Sequence, residues 1–349
     1  MPCIPSLSAG GPRSAVLALA AAACLGSDLV AQSPSTEQTM LSPPGRMVDV
    51  GGFRLHLLCT GTGRPDRPTV VLAAGAGDFA VDWGLVQPAI AESTRVCSYD
   101  RAGFGWSDAG PEPRTLRQEA AELEWLLTRG GEHPPYLLVG HSIGGLVVRL
   151  FQEEHPVEVT GMVLVDPTHE SARLGYRGRL VEMRTLASGR PVPPVHGIAE
   201  APPVLASGAA LDECRSFEPA RVEPPFDQLS VADQRLHLWA ARHSKCLVQP
   251  EDYLPDELQA LYVRRQHEAP VAAPLVVLAA VPSEAPPGVS LADWRREKLD
   301  HMADLARLSA TGRVVVDTLS GHHIQLDDPA LVVRAVMQVI RESGTPGRR

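Results

Sequence analysis

Residues 135–150 constrain this chain more than any other stretch. Tyr136, Leu137, Leu138 and Val139 form an unbroken apolar run between Pro135 and Gly140, the pattern of a strand buried on both faces of a parallel sheet. Gly140, His141, Ser142, Ile143 and Gly144 then spell G-x-S-x-G, with Gly145 behind them, and Leu146, Val147, Val148, Leu150 and Phe151 continue as an apolar helix. Strand, G-x-S-x-G and helix in that order are the context in which the motif marks a nucleophile elbow. A serine on so tight a turn adopts a strained backbone, and the glycines two before and two after it remove the side chains that would collide. The helix that begins there aims free N–H groups and its positive dipole end at any charge developing beside the Ser142 oxygen. The same five residues in a plain loop would mean only a glycine-rich turn with an incidental serine.

The chain has 349 residues and a net charge of -9, enough length for a large α/β core. With no run of lysine or arginine, that charge argues against nucleic acid or an anionic membrane as partner. Arg13 precedes an Ala-, Val- and Leu-rich run from Ala15 to Leu25, which reads as a secretory signal, too short to span a bilayer, with cleavage expected after Ala31. The alternative is a lipid anchor, since Ala21, Ala22, Ala23 and Cys24 make a degenerate lipobox. Either route exports the protein, and the mature chain is expected to contain no integral membrane segment. Cys59, Cys97, Cys214 and Cys246 would remain, an even number that fits two disulfides or four buried thiols.

Residues 32–45, rich in Ser, Pro, Thr and Gln, read as a flexible lead-in. Met47–Val50 and Phe53–Cys59 flank Gly51 and Gly52 as a β-hairpin. Strands are predicted over Thr69–Ala73 and Arg95–Tyr99, with a helix over Trp83–Ala91 between them. Thr115 caps a helix whose apolar face is Leu116, Ala120, Leu123, Leu126 and Leu127, ended by Gly130 and Gly131. Gly161–Val165 is a further buried strand, stopped by Asp166 and Pro167. After a Pro-rich middle with helical pieces at Val231–Arg242 and Pro255–Gln266, strands resume at Leu275–Ala280 and Val314–Val316, separated by a helix over Leu291–Leu308. A loop over Ser320–Gln325 precedes a last helix capped by Asp328, with Pro329 at its first position. Strands alternating with helices at this rhythm imply crossover units and a mostly parallel sheet after an antiparallel start.

The ordered set Y-D-R-A-G-F-G-W-S-D (Tyr99–Asp108), G-H-S-I-G-G (Gly140–Gly145), L-V-D-P (Leu164–Pro167) and S-G-H-H-I-Q (Ser320–Gln325) resembles the α/β-hydrolase fold superfamily, in particular its secreted or lipid-linked serine hydrolases of esterase, lipase and aminopeptidase type. The resemblance covers Met47 to about Thr168 and Pro274 to Glu342. It implies an eight-stranded, mostly parallel sheet flanked by helices: a core in two parts, residues 46–168 and 271–349, with a helical lid insertion at 169–270. It also implies side-by-side strands for Cys59 and Cys97, so that these two would be bridged, and a Cys214–Cys246 staple within the lid.

Ser142 is then the candidate nucleophile and His322 the candidate base, because the family pattern puts the catalytic imidazole directly after Gly321; His323 is its competitor. A serine hydroxyl needs such a base within hydrogen-bond reach. His141 is expected to pack beside the nucleophile. The oxyanion donors are the N–H groups of Ile143, the residue after the nucleophile, and of Ala76, in the loop where family members carry His-Gly and this chain has Ala74-Gly75. The acid has two candidates. The usual loop, Val281–Pro286, has no Asp but offers Glu284, whereas Asp166 ends a strand at a position that a subset of the superfamily uses. Asp166 is preferred and Glu284 is the alternative. The reaction expected is hydrolysis of a small carboxylic ester with no metal or organic cofactor; the alternatives are a proline-iminopeptidase-like aminopeptidase and a non-catalytic ligand-binding protein of the same fold.

Overall fold

A computed structural model of the chain describes residues 41–196, 221–246 and 253–344. The expected signal, the lipid-anchor alternative at Cys24, most of the lead-in and the side chains of Cys214 and Cys246 lie outside the described residues. None of the described helices is long and apolar enough to cross a membrane.

In chain order the first part comprises β1 (Arg46–Asp49), β2 (Arg54–Thr60), β3 (Thr69–Ala73), α1 (Gln87–Ala91), β4 (Val96–Tyr99), α2 (Leu116–Arg129), β5 (Tyr136–His141), α3 (Gly144–Glu154) and β6 (Val159–Val165). The segment between β6 and β9 follows, with a hairpin of β7 (Arg173–Tyr176) and β8 (Arg179–Glu182), then α4 (Val231–Cys246) and α5 (Leu254–Arg265). The chain closes with β9 (Leu275–Ala280), α6 (Leu291–Ala306), β10 (Arg313–Asp317), a one-turn α7 (Ile324–Asp327) and α8 (Pro329–Glu342). Eight strands make one sheet in the order β1-β2-β4-β3-β5-β6-β9-β10, antiparallel at β1-β2-β4 and parallel from β4 onward.

Successive strand residues point to opposite faces, and both faces here are apolar and covered. Val71, Leu138, Leu164 and Val277 join the core beneath α2, α3 and α6. Val70, Leu137, Val163 and Val276 join the one beneath α1 and α8. Continuous hydrophobic runs, without polar alternation, are what a doubly covered sheet requires. Thr115 caps α2 through its side chain, accepting from Gln118 N at 3.0 Å, and Asp328 caps α8, accepting from Leu331 N at 2.9 Å.

Two expectations need correction, and one element had no counterpart among them. The single helix expected over Trp83–Ala91 is a 3₁₀ turn at Ala80–Trp83 and the short α1, split at Gly84, with Pro88 in the first turn of α1, where a missing N–H costs nothing. The loop expected over Ser320–Gln325 gives way to α7 from Ile324, whose side chain is buried. The hairpin β7-β8, whose two strands are four residues each, was not foreseen.

Cys59 and Cys97 face one another in the antiparallel β2-β4 register and are disulfide-bonded, 38 residues apart in sequence. In the chain-entropy picture, closing a loop of this size stabilises by roughly 4 kcal/mol. The Cys59→Ser/Cys97→Ser double variant should lose about that much on chemical unfolding, and reduction of the wild type should reproduce most of the loss. An unchanged midpoint would show that the bond constrains little.

The segment between β6 and β9 is fastened to the core by hydrogen bonds and an aromatic stack. Glu257 of α5 accepts from the N–H groups of Leu116 (2.7 Å) and Arg117 (3.1 Å), the first two of α2, which have no acceptor inside their own helix. Trp239 of α4 stacks on Trp106 at 4.7 Å, and Ser244 Oγ accepts from Gly105 N at 2.7 Å.

Candidate active site

The turn between β5 and α3 is as tight as its glycines imply. Ser142 has φ of 51°, in the left-handed region that costs a side-chain-bearing residue of order 1 kcal/mol or more. A Cβ on Gly140 would lie 2.6 Å from the Gly144 carbonyl oxygen, and one on Gly144 would lie 2.5 Å from that of Ala73. Backbone bonds hold the strained residue: Ser142 N donates to Val165 O at 3.1 Å, and Ser142 O accepts from Gly145 N and Thr168 N, each at 3.0 Å.

Asp166, the residue after β6, also has a left-handed backbone, with φ of 41°, and is 2 % exposed. Its N–H donates to Leu278 O at 2.8 Å and its Oδ1 accepts from Ala280 N at 2.9 Å, so β9 fixes both backbone and carboxylate. Oδ2 accepts from His322 Nδ1 at 2.6 Å. Burial pushes this carboxyl up, but the His322 hydrogen bond and the Lys298 charge outweigh it and hold it below the ordinary carboxylate range. Glu284 makes no hydrogen bond or ion pair to His322 among the described residues; it lines an open cavity of about 530 Å³ together with His322, Lys298 and Trp294.

His322 follows β10, half exposed, and its main chain is tied to the elbow: His141 Nε2 meets the His322 carbonyl oxygen at 3.0 Å, and the two rings lie 4.7 Å apart. Ser142 Oγ makes no hydrogen bond among the described residues. The N–H groups of Ile143 and Ala76 likewise donate to no acceptor among them, which leaves both available. Ala76 is exposed, on a loop where Gly77 takes φ of 75°.

A polar cluster missed in the sequence supports this loop. His141 Nδ1 meets Asp78 Oδ2 at 2.8 Å, and His323 Nε2 meets Asp78 Oδ1 at 3.3 Å. A Cβ on Gly75 would fall 2.7 Å from both Asp78 Oδ2 and His141 Nδ1, so only glycine leaves room for the pair. His141 faces acceptor oxygens from both nitrogens; donating to both takes a doubly protonated ring, with the Asp78 carboxylate opposing the burial that pushes its imidazole down. Burial also raises the Asp78 carboxyl, but the His141 and His323 hydrogen bonds outweigh it and leave the group strongly lowered. One turn on, burial pushes Asp82 up to about 6 despite His237 Nδ1 at 2.7 Å. Asp78, His141 and His323 bring ligand-type atoms within 4.8 Å of one another, a donor set that suits a transition ion, yet each of these atoms is already hydrogen-bonded within the cluster. His323, weighed against His322 in the sequence, thus serves Asp78, while His322 serves Asp166.

A cavity of about 180 Å³ lined by Asp166, His169, Trp294, Lys298 and His322 adjoins the imidazole. A larger one of about 650 Å³, between Arg149, Tyr262, Arg265 and Arg307, includes no residue of the elbow.

Residues 68–188 match the model of the alpha/beta hydrolase fold family. Among solved structures, a thermophilic esterase from Thermogutta terrifontis superposes with a TM-score of 0.56 at 18% identity, covering 86% of this chain and 99% of that one. The enol-lactonase of Burkholderia xenovorans LB400 gives 0.55 at 18%, covering 85% and 100%. An AB hydrolase superfamily protein of Gibberella zeae is 36% identical over 110 residues, 30% of this chain and 34% of the relative. The chain spans between 18% and 40% of the length of such curated relatives. With this strand order, this elbow and this match, the chain has the α/β-hydrolase fold.

Proposed function

We propose that the protein is a serine hydrolase that cleaves a carboxylic ester through an acyl-Ser142 intermediate. The observation that carries the reading is the 2.6 Å bond from His322 Nδ1 to Asp166 Oδ2, at the sheet edge where Ser142 stands on its strained turn. With Nδ1–H committed to the carboxylate, Nε2 carries the lone pair that takes the Ser142 proton as Oγ attacks the ester carbonyl. The developing oxyanion is met by the N–H groups of Ile143 and Ala76. His322, now an imidazolium beside Asp166, returns the proton to the departing alcohol, and water then releases the acid by the same steps in reverse. The Ser142–His322 hydrogen bond forms as substrate closes the site, since such bonds often tighten only in the complex. The esterase and lactonase among the structural neighbours fit acyl transfer to water.

In this reading residues 169–270 act as a lid that selects the acyl group, and the protein works outside the reducing cytosol. The Cys59–Cys97 bridge supports the latter.

Incubation with a fluorophosphonate should add mass at Ser142, and a chain-length series of p-nitrophenyl esters should show turnover with a preference set by the lid. A folded protein left unlabelled would overturn the reading. Faster cleavage of a proline anilide than of any ester would move the reaction to amides.

A further inference from the structure

The Asp166 carboxylate has a third partner. Lys298 Nζ, from α6, donates to Asp166 Oδ2 at 2.6 Å, the same oxygen and the same distance as His322 Nδ1. With Ala280 N on Oδ1, the buried carboxylate is fully engaged, and two potential cations share one of its oxygens. We propose that Lys298 is a positioning residue that splits the Asp166 charge with His322 and thereby sets the pH at which the imidazole becomes available as base. The proposal rests on the serine-hydrolase reading above.

The surroundings make Lys298 the group that matters. The cavities on either side of His322 are both lined by Lys298 and Trp294. On the lid side Arg173 of β7 is spent on Glu297, with its Nε 2.6 Å from Oε1, while His169 and His301 stack on each other at 4.2 Å and His169 bonds Asp304 at 3.0 Å. On the elbow side His141 and His323 are held by Asp78. Glu284, in the loop after β9, makes no bond to His322 or Lys298 among the described residues. Lys298 is thus the one charged side chain, besides His322 itself, with a hydrogen bond to Asp166 among the described residues.

A cation sharing the carboxylate has two opposed effects. It keeps Asp166 ionised despite burial, so the acid remains an acceptor for Nδ1–H at low pH. It also repels a second positive charge on His322. The neutral, basic imidazole therefore persists to lower pH, and part of the stabilisation that Asp166 gives the imidazolium in the transition state is forgone. Removing the charge reverses the second effect: His322 holds its proton to higher pH, and the acid limb of kcat/KM moves up.

The test is the pH profile of kcat/KM on a short-chain p-nitrophenyl ester for the wild type, Lys298→Met and Lys298→Arg, with the fluorophosphonate labelling rate followed over the same pH series. Lys298→Met should move the acid limb up by about one pH unit, and Lys298→Arg should return it to the wild-type position. A limb that stays in place in a folded, active Lys298→Met protein, whatever its absolute rate, would mean that Lys298 only packs, and would overturn the proposal. Should the methionine fail to fold, Lys298→Gln, which keeps a donor but no charge, carries the same two outcomes. If the wild type is not labelled at Ser142, the reaction assigned above fails. The midpoint of the His322 ring, followed by NMR in wild type and Lys298→Met, then still decides for or against the role of Lys298.

Discussion

Replacing Ser142 with alanine should lower kcat on a short-chain p-nitrophenyl ester by about 10⁵ to 10⁶-fold, the scale seen when the nucleophile is removed from a triad that acts as a unit. The fold should survive. The hydrogen bonds of Ser142 among the described residues are made by its backbone, to Val165, Gly145 and Thr168, and alanine meets the same φ of 51° with a side chain no larger than serine's. Activity should stop above the uncatalysed rate, because Ile143 and Ala76 still offer donors to a tetrahedral intermediate formed by direct attack of water. Steady-state kinetics, with circular dichroism as the control on folding, checks this; a variant that keeps more than about 1% of kcat would place the nucleophile elsewhere.

Asp166→Asn should cost about 10³ to 10⁴ in turnover, or 4 to 5.5 kcal/mol of barrier, while Glu284→Gln should leave turnover close to wild type. The amide can keep its place on Ala280 N through its oxygen, but it then turns an NH₂ toward His322 and Lys298, where a carboxylate had accepted from both. The ring would answer with its other tautomer and present Nε2–H to the serine. Because the carboxyl of Asp166 is held below the ordinary range, the carboxylate's contribution is fully present above its ordinary titration and is lost only as pH falls through the lowered value. Kinetics of the two variants side by side reads out the comparison, and loss of activity in Glu284→Gln with retention in Asp166→Asn would reverse the assignment.

The parts legible in the sequence were those where one local rule decides. Buried parallel strands must be continuous apolar runs, so the runs at Thr69–Ala73, Tyr136–Val139, Gly161–Val165 and Leu275–Ala280 fell within strands of the central sheet. The elbow declared itself through Gly140 and Gly144, whose missing side chains are required by backbone atoms. Asp166 could be nominated because it follows directly on β6 at a position some members of the resembled superfamily use, and His322 because it lies in the loop after β10 directly behind Gly321, where the family pattern puts the imidazole. What stayed hidden depends on approach through space. Lys298 sits among Arg295, Arg296 and Glu297 on a charged helix, and nothing in its neighbours separates the residue that reaches Asp166 from those that face water. Asp78 reads as the end of a glycine-rich turn until His141 and His323, from two distant segments, meet it. The β7-β8 hairpin escaped because Arg177 and Gly178, which turn it, stand between short strands with several arginines and without the alternation that marks a strand pair.

The Glu257 carboxylate astride the first turn of α2 has a consequence for anyone recombining this protein with its relatives. It makes the segment between β6 and β9 a creditor of the core, since two amide groups at the start of a central helix have as their acceptor among the described residues a side chain more than 130 residues downstream. A chimera that replaces the segment between β6 and β9 must therefore supply a carboxylate at that spot, or rebuild residues 114–117 with a local cap, before any loss of stability can be read as a property of the replacement.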